Sequence, residues 1–176
     1  RDSCNPTGAT YDRTTLEGIA AAALRHDLVI ISDEIYEKVL YDGTQHISIA
    51  TLSPEVAART VVINGVSKAY AMTGWRIGYA AGPKPLLTAM ANIQSQSTSN
   101  PCSISQKAAV AALRLGNPFT KTMVTEFDRR RRVMVDRLNK MPGVTCCMPI
   151  QASAQRLKRG SVASPGAGSP GSGKGS

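Results

Sequence analysis

A chain of 176 residues with 42% hydrophobic and 19% charged residues is long enough to bury one substantial core. This composition excludes a fibrous or wholly disordered protein, and apolar runs such as residues 28–31 are far too short to cross a membrane. The formal net charge of +9 invites a nucleic-acid-binding interpretation, but four basic and no acidic residues follow residue 150, so the excess belongs partly to the tail.

The cysteines and the amino terminus indicate the compartment. Cysteines 4, 102, 146 and 147 show neither a metal-finger spacing nor the pattern of a disulfide framework. The first residues lack the charged, apolar and small-residue order of a secretory signal. We therefore expect reduced thiols and a cytoplasmic protein.

The first half of the chain alternates between helix and strand patterns. A helix is predicted from Thr14, which has capping-box spacing to Glu17, to about His26. Residues 28–31 form a short β-branched run, as expected for a strand buried on both faces of a parallel sheet. Residues 60–64 and 77–81 predict two further strands, with Lys68 in the loop between them.

Helical patterns dominate the second half. They cover residues 84–94, 103–115 and 118–140, and a strand is predicted at 144–148. The four arginines at 129–132 lie in the last helix, where opposite charges recur at a spacing of four residues, so we expect a solvated charged face. The alternation predicts an α/β fold.

The composition changes near residue 150. Residues 161–176 are almost entirely Ser, Gly, Pro and Ala, which cannot support a packed core. We predict a domain at 1–149 and a disordered tail at 150–176.

Candidate reactive groups follow the predicted strands. In open parallel sheets, loops beyond the carboxyl ends of the strands can converge on a ligand. Asp33, Lys68 and Asn5 occupy such positions. Each alone has an ordinary explanation: Asp33 as a helix cap, Lys68 as a surface lysine and Asn5 as part of a turn.

Together these residues form a recognisable set of motifs. Asn-Pro-Thr-Gly at 5–8, Ser-Asp-Glu-Ile-Tyr at 32–36 and Ser-Lys-Ala-Tyr-Ala-Met-Thr-Gly-Trp-Arg-Ile-Gly-Tyr at 67–79 occur in this order. The set resembles the class I and II aminotransferases, and the last block looks closest to the bacterial-type aspartate aminotransferase branch. The resemblance implies part of the large domain of a pyridoxal-phosphate-dependent transferase, a mostly parallel sheet flanked by helices.

The resemblance also implies roles for five residues. Lys68 would be the catalytic residue and would hold pyridoxal 5′-phosphate as a Schiff base. Asp33 would face the ring nitrogen, Tyr36 and Asn5 would donate to the phenolic oxygen, and Arg76 would grip the phosphate. Asn5 would also contact the substrate. No metal is predicted.

One position departs from the family pattern. Many relatives have a phosphate-binding serine three residues before the lysine, where this chain has Gly65. Ser67 stands directly before Lys68 and is not included in the predicted site.

The implied reaction is transfer of an amino group between an amino acid, with aspartate the best guess, and a 2-oxo acid. A lyase or synthase of the same fold and a non-catalytic remnant are the alternatives. A nucleic-acid binder would rest on charge alone, because no binding motif is present. The predicted partners are therefore small-molecule substrates and, for a full-length protein, a second copy in a homodimer, with neither nucleic acid nor membrane.

The resemblance ends near Pro149. Family elements that would precede Asn5 or follow Pro149 are absent, and the Ser/Gly/Pro-rich tail resembles translation in a shifted frame. We therefore expect an internal fragment that is inactive by itself and poorly soluble, because strand edges and apolar faces would be exposed.

Overall fold

The computed structural model describes residues 10–151 and 157–159 of the chain. The helices are α1 (Arg13–Arg25), α2 (Pro54–Ala57), α3 (Lys84–Ser97), α4 (Ser103–Leu115) and α5 (Asn117–Asn139). The strands are β1 (Ile30–Asp33), β2 (Thr60–Gly65), β3 (Gly78–Ala81), β4 (Val144–Cys146) and β5 (Leu157–Arg159). None of these helices combines the length and the apolar character that a membrane span requires.

Helix α1 is capped by a residue that precedes the predicted cap. The Asp12 side chain accepts a hydrogen bond of 2.8 Å from the backbone N–H of Thr15, so Asp12 rather than Thr14 is the cap. Leu16 and Ala20 on the buried face of α1 pack into one cluster with Ile49 and Val56. The amphipathic spacing of α1 therefore fixes it against the segment that precedes β2.

The main sheet has the order β1-β2-β3, with β2 in the centre. Strand β1 is parallel to β2, whereas β3 is antiparallel to it. The predicted α/β class is confirmed, but the described sheet is mixed rather than mostly parallel. The reason is the connection at residues 66–77, which contains only turns and one short 3-10 helix. The chain therefore re-enters the sheet at the same end of the strands at which it left β2.

The prediction that β1 is buried on both faces is wrong. Ile31 is 69% exposed, and Leu28 and Val29, just before the strand, are more than half exposed. Within the described residues β1 pairs only with β2, so one edge and one apolar face are uncovered.

A second core cluster lies beside the β2–β3 connection. Val66, Ala69, Tyr70 and Ile77 of this connection pack against Ala109 of α4. The Thr120 hydroxyl of α5 donates a 2.8 Å hydrogen bond to the Ala69 carbonyl. Helices α4 and α5 therefore hold the connection that carries Lys68.

The arginine run on α5 is only partly the solvated face that we predicted. Arg130 pairs with Glu126 at 2.8 Å on the surface, as its spacing indicated. The Arg131 side chain, in contrast, is only 3% exposed, donates to both Asp42 and Asp128, and stacks 4.3 Å from the Tyr41 ring centroid. Arg131 therefore joins α5 to the segment around residue 42.

The structure differs from the predicted disorder of residues 150–176 at two places. The Tyr41 N–H donates to the Ile150 carbonyl at 3.0 Å, and Gln151 forms an antiparallel bridge with Leu40. Strand β5 pairs with β4 in an antiparallel sheet. The predicted domain boundary at 149 stays a prediction, and the rest of the tail lies outside the described residues.

Replacing Arg131 by Gln should destabilise the fold by about 2 kcal/mol, because two carboxylates lose their buried partner. Arg130→Gln removes an exposed arginine from the same helix and should leave the denaturation midpoint unchanged. Chemical denaturation of the two variants checks this, and equal midpoints would contradict it.

Replacing Gln151 by Met should stabilise the fold by about 1–2 kcal/mol. Gln151 is completely buried, and neither its amide nitrogen nor its amide oxygen has a partner within the described residues. Gln94→Met, on the exposed face of α3, is the matched control and should change nothing. Thermal denaturation measures the change in midpoint for each variant. A lower midpoint for Gln151→Met than for the unmodified chain would show that the buried amide of Gln151 does not destabilise the fold.

Candidate active site

Three strand ends meet at one edge of the main sheet. Asp33 is the last residue of β1, and Lys68 follows three residues after Gly65, the last residue of β2. Gly65 pairs with Gly78, the first residue of β3, and Arg76 stands two residues before that strand. The register therefore brings the backbones of Asp33, Lys68 and Arg76 to the same edge. The predicted Asn5 lies outside the described residues.

Lys68 and Tyr36 share a cavity of about 290 Å³. The Lys68 Nζ lies 5.4 Å from the centroid of the Tyr36 ring. Val39, Met123 and Phe127 give the cavity an apolar wall. Within the described residues the Lys68 amine has no hydrogen bond or ion pair, and it lies over the face of the Tyr36 ring.

Lys38 is a second lysine near Tyr36 in the sequence, and its amine already forms a hydrogen bond within the chain. Its Nζ donates a 3.0 Å hydrogen bond to the Tyr70 hydroxyl. That bond raises the pKa of Lys38 above its usual 10.5, so this amine stays protonated. Of the two lysines, Lys68 is the one whose amine is available for chemistry.

Asp33 and Arg76 do not line the cavity of Lys68, although they lie at the same sheet edge. The half-buried Asp33 carboxylate accepts only a long hydrogen bond of 3.4 Å from the Ile35 N–H. The exposed Arg76 guanidinium donates to the Thr73 carbonyl at 2.9 Å. Neither charge is in an ion pair with another described residue, so both can bind a ligand.

The Lys68 loop contains two residues in the left-handed region of backbone conformation. Ala71 has φ 52° and Arg76 has φ 55°. Such residues cost about 1 kcal/mol or more each and persist only where the surroundings impose them. The hydrogen bond from Met72 N–H to the Ser67 carbonyl closes the turn after Lys68. The loop therefore has a defined and strained shape.

Gly65 is required by a close approach of two strands. A Cβ atom at this position would lie 2.7 Å from the Ile77 carbonyl oxygen and 3.1 Å from the Gly78 Cα. Any larger residue would push β3 away from β2. This contact gives a structural reason for glycine at position 65 of this chain.

The residues fit the implied cofactor in their chemistry. Pyridoxal 5′-phosphate offers an aldehyde to an amine, a ring nitrogen to a carboxylate and a phosphate to a guanidinium. At this edge Lys68, Asp33 and Arg76 each present the complementary group without a competing ionic partner among the described residues.

Sequence reasoning missed Glu34. This buried carboxylate accepts hydrogen bonds from Ser32, Ser48 and His46. Burial would raise its pKa, but the bonds from His46 and Ser48 outweigh burial and lower the pKa below its usual 4.5. Glu34 therefore stabilises the fold above about pH 4.5, and this stability is lost as the pH falls through the lowered pKa.

Met123 and Phe127 were missed as well. They reach the cavity from α5, and nothing in their helical spacing indicates which loop that helix covers.

Comparison with known proteins decides the family. The family model for aminotransferase class I and II matches residues 3–153. The chain belongs to the class I and II aminotransferases. The aspartate aminotransferase of Geobacillus stearothermophilus is 50% identical over 145 residues, which cover 82% of this chain and 37% of that relative. The aspartate/prephenate aminotransferase of Cereibacter sphaeroides is 51% identical over 146 residues, or 82% of this chain and 36% of that protein.

Solved structures agree with this membership. The aspartate aminotransferase of Rhizobium meliloti superposes with a TM-score of 0.77 at 45% identity, covering 84% of this aminotransferase chain and 37% of that one. The aromatic aminotransferase of Pyrococcus horikoshii superposes with a TM-score of 0.77 at 40% identity, covering 85% of this chain and 40% of that one. The chain thus spans little more than a third of the length of these relatives.

Two glycine substitutions should separate loop geometry from sheet stability. A Cβ at Gly82 would lie 2.7 Å from the Thr60 carbonyl oxygen, the same close approach as at Gly65 but at the opposite end of the strand pair. Gly65→Ala and Gly82→Ala should therefore destabilise the fold similarly, by about 1–3 kcal/mol. Only Gly65→Ala should also change the rate at which Lys68 reacts with an amine-directed reagent, measured by mass spectrometry. Equal rates in both variants would show that this contact does not shape the loop.

Proposed function

We propose that this chain supplies the lysine-bearing part of a pyridoxal-phosphate-dependent aminotransferase. The observation that carries the proposal is the available Lys68 amine beside Tyr36, at the edge where Asp33 and Arg76 present opposite charges. Membership in the aminotransferase family supports it, and so do the relatives named aspartate aminotransferase.

The bound cofactor supplies an aldehyde that can exchange for an amino group and a ring that withdraws electrons from the substrate carbon. Lys68 Nζ would hold it covalently and, once displaced by the substrate, would take a proton from the substrate carbon and return it to the cofactor carbon. The Asp33 carboxylate would favour the protonated form of the ring nitrogen. Arg76 would bind the phosphate, and the Tyr36 and Asn5 side chains would donate to the phenolic oxygen.

Aspartate and a 2-oxo acid are the proposed substrates. Several relatives are named for aspartate, and two for aspartate and prephenate. We prefer amino-group transfer to elimination or to a non-catalytic role because these relatives are named as aminotransferases. In the complete protein Asn5 would also contact the substrate, and a homodimer in the cytoplasm is expected from the family relationship.

The decisive experiment is trapping of the cofactor on the 176-residue chain. After incubation with pyridoxal 5′-phosphate and reduction by borohydride, peptide mapping should find the adduct predominantly on Lys68. Lys68→Arg should abolish this adduct, whereas Lys38→Arg, which replaces the engaged neighbour, should leave it intact. Labelling spread evenly over the surface lysines would refute the proposed role of Lys68.

Turnover of the chain by itself should be very low, because it spans 37% of the length of its relative and the described residues form only one side of a site. Production of oxaloacetate from aspartate and 2-oxoglutarate measures it. Release of pyruvate or ammonia by a version extended to the length of the relatives would instead favour an eliminating enzyme.

A further inference from the structure

The residue next to Asp33 is tied down far more firmly than Asp33 itself. Glu34 is 3% exposed, and its carboxylate accepts hydrogen bonds from Ser32 Oγ at 3.0 Å, Ser48 Oγ at 2.6 Å and His46 Nε2 at 2.8 Å. A buried carboxylate is costly unless its oxygens are satisfied, and here three donors satisfy them. The burial of a charge at this position therefore needs an explanation.

These bonds close a loop. His46 and Ser48 come 12 and 14 residues after Glu34, and the segment between them contains Tyr36 and Val39, both of which line the Lys68 cavity. Residues 42–48 belong to no helix or strand, so no backbone ladder holds the far end of this segment to β1. The side chains of Glu34, His46 and Ser48 make that connection instead.

The hydrogen-bonded group of Glu34, His46 and Ser48, here called the Glu34 anchor, lies directly beside Asp33 in the chain. The Asp33 carboxylate has only its 3.4 Å bond to Ile35, which is too long to fix a side chain. Its backbone, in contrast, is held on both sides: Asp33 is in register with Ile63, and the Glu34 N–H donates to the Ile63 carbonyl at 2.8 Å. The backbone pairing with Ile63 and the buried side chain of Glu34 therefore both act at the end of β1 that presents Asp33.

We propose that Glu34, together with His46 and Ser48, is a positioning group of the active site that sets the places of Asp33 and Tyr36 relative to Lys68. The inference rests on the proposed function, since Asp33 and Tyr36 matter only if the cavity receives the cofactor. Glu34 touches neither Lys68 nor the cavity and acts through its neighbours in the chain.

A metal ion is the competing occupant of this cluster. Ligand atoms of Glu34, Glu37 and His46 lie within 4.8 Å of one another. The oxygens of Glu34 already accept three hydrogen bonds, and that arrangement accounts for its burial without a cation. Added Zn²⁺ should therefore leave the thermal midpoint unchanged, whereas a rise of several degrees that Glu37→Gln abolishes would overturn the positioning role.

The test compares Glu34→Gln and His46→Gln with Glu37→Gln, which changes a glutamate of the same segment that takes part in none of the three hydrogen bonds described for the Glu34 carboxylate. Ser48→Ala is a milder variant that keeps the test available if Glu34→Gln does not fold. The first readout, made on the chain without added cofactor, is hydrogen exchange of the Val39 amide. This amide donates a hydrogen bond of 2.9 Å to the Tyr36 carbonyl. Loss of the anchor should speed this exchange at least about tenfold, and Glu37→Gln should not.

The second readout is the visible absorbance of pyridoxal 5′-phosphate held on Lys68. Its pH midpoint should shift by about half a unit or more in the anchor variants, because the neighbours of the cofactor are displaced, and should be unchanged in Glu37→Gln. Unchanged exchange in Glu34→Gln, His46→Gln and Ser48→Ala, or faster exchange with an unchanged midpoint, would overturn the proposal. If the unmodified chain bound no cofactor at Lys68, the proposed function would fail, and hydrogen exchange alone would decide whether the anchor holds the loop.

Discussion

The pairing of β2 with a neighbour on each side is the constraint on which the site depends. Because β1 runs parallel to β2 and β3 runs antiparallel to it, the end of β1, the end of β2 and the beginning of β3 meet at one edge. The tight contact at Gly65 keeps β3 close enough for this to happen. Asp33, Lys68 and Arg76 therefore share one edge through the backbone pairing of the three strands.

Two classes of charged residue differ in their surroundings within the described part of the chain. Arg131 and Glu34 are buried, and each is surrounded by partners that compensate for lost hydration. Lys68, Asp33 and Arg76 lack an ionic partner among the described residues. The first class stabilises the fold and the loops, while the second class remains available to a charged ligand.

Strain and anchoring act together around Lys68. The left-handed residues Ala71 and Arg76 give the loop after β2 an unfavourable local conformation. The core cluster around Val66 and the bond from Thr120 of α5 to this loop compensate for that cost. On the other side of the cavity, the Glu34 anchor holds the segment that carries Tyr36. Both walls of the cavity are thus fixed by contacts outside it.

The sequence alone determined the family, the main helices and strands and the Lys68 motif, because these depend on local periodicity and on residues close together in the chain. It also predicted the edge on which Asp33 and Lys68 meet, since that follows from strand ends. Only the tertiary structure revealed the antiparallel direction of β3, the exposure of β1, the burial of Arg131 and the hydrogen bonds of the buried Glu34. The direction of β3 follows from the short connection at residues 66–77. The other three depend on partners that lie outside the local pattern, and a pattern of single residues does not encode which partner satisfies a buried charge or covers a strand.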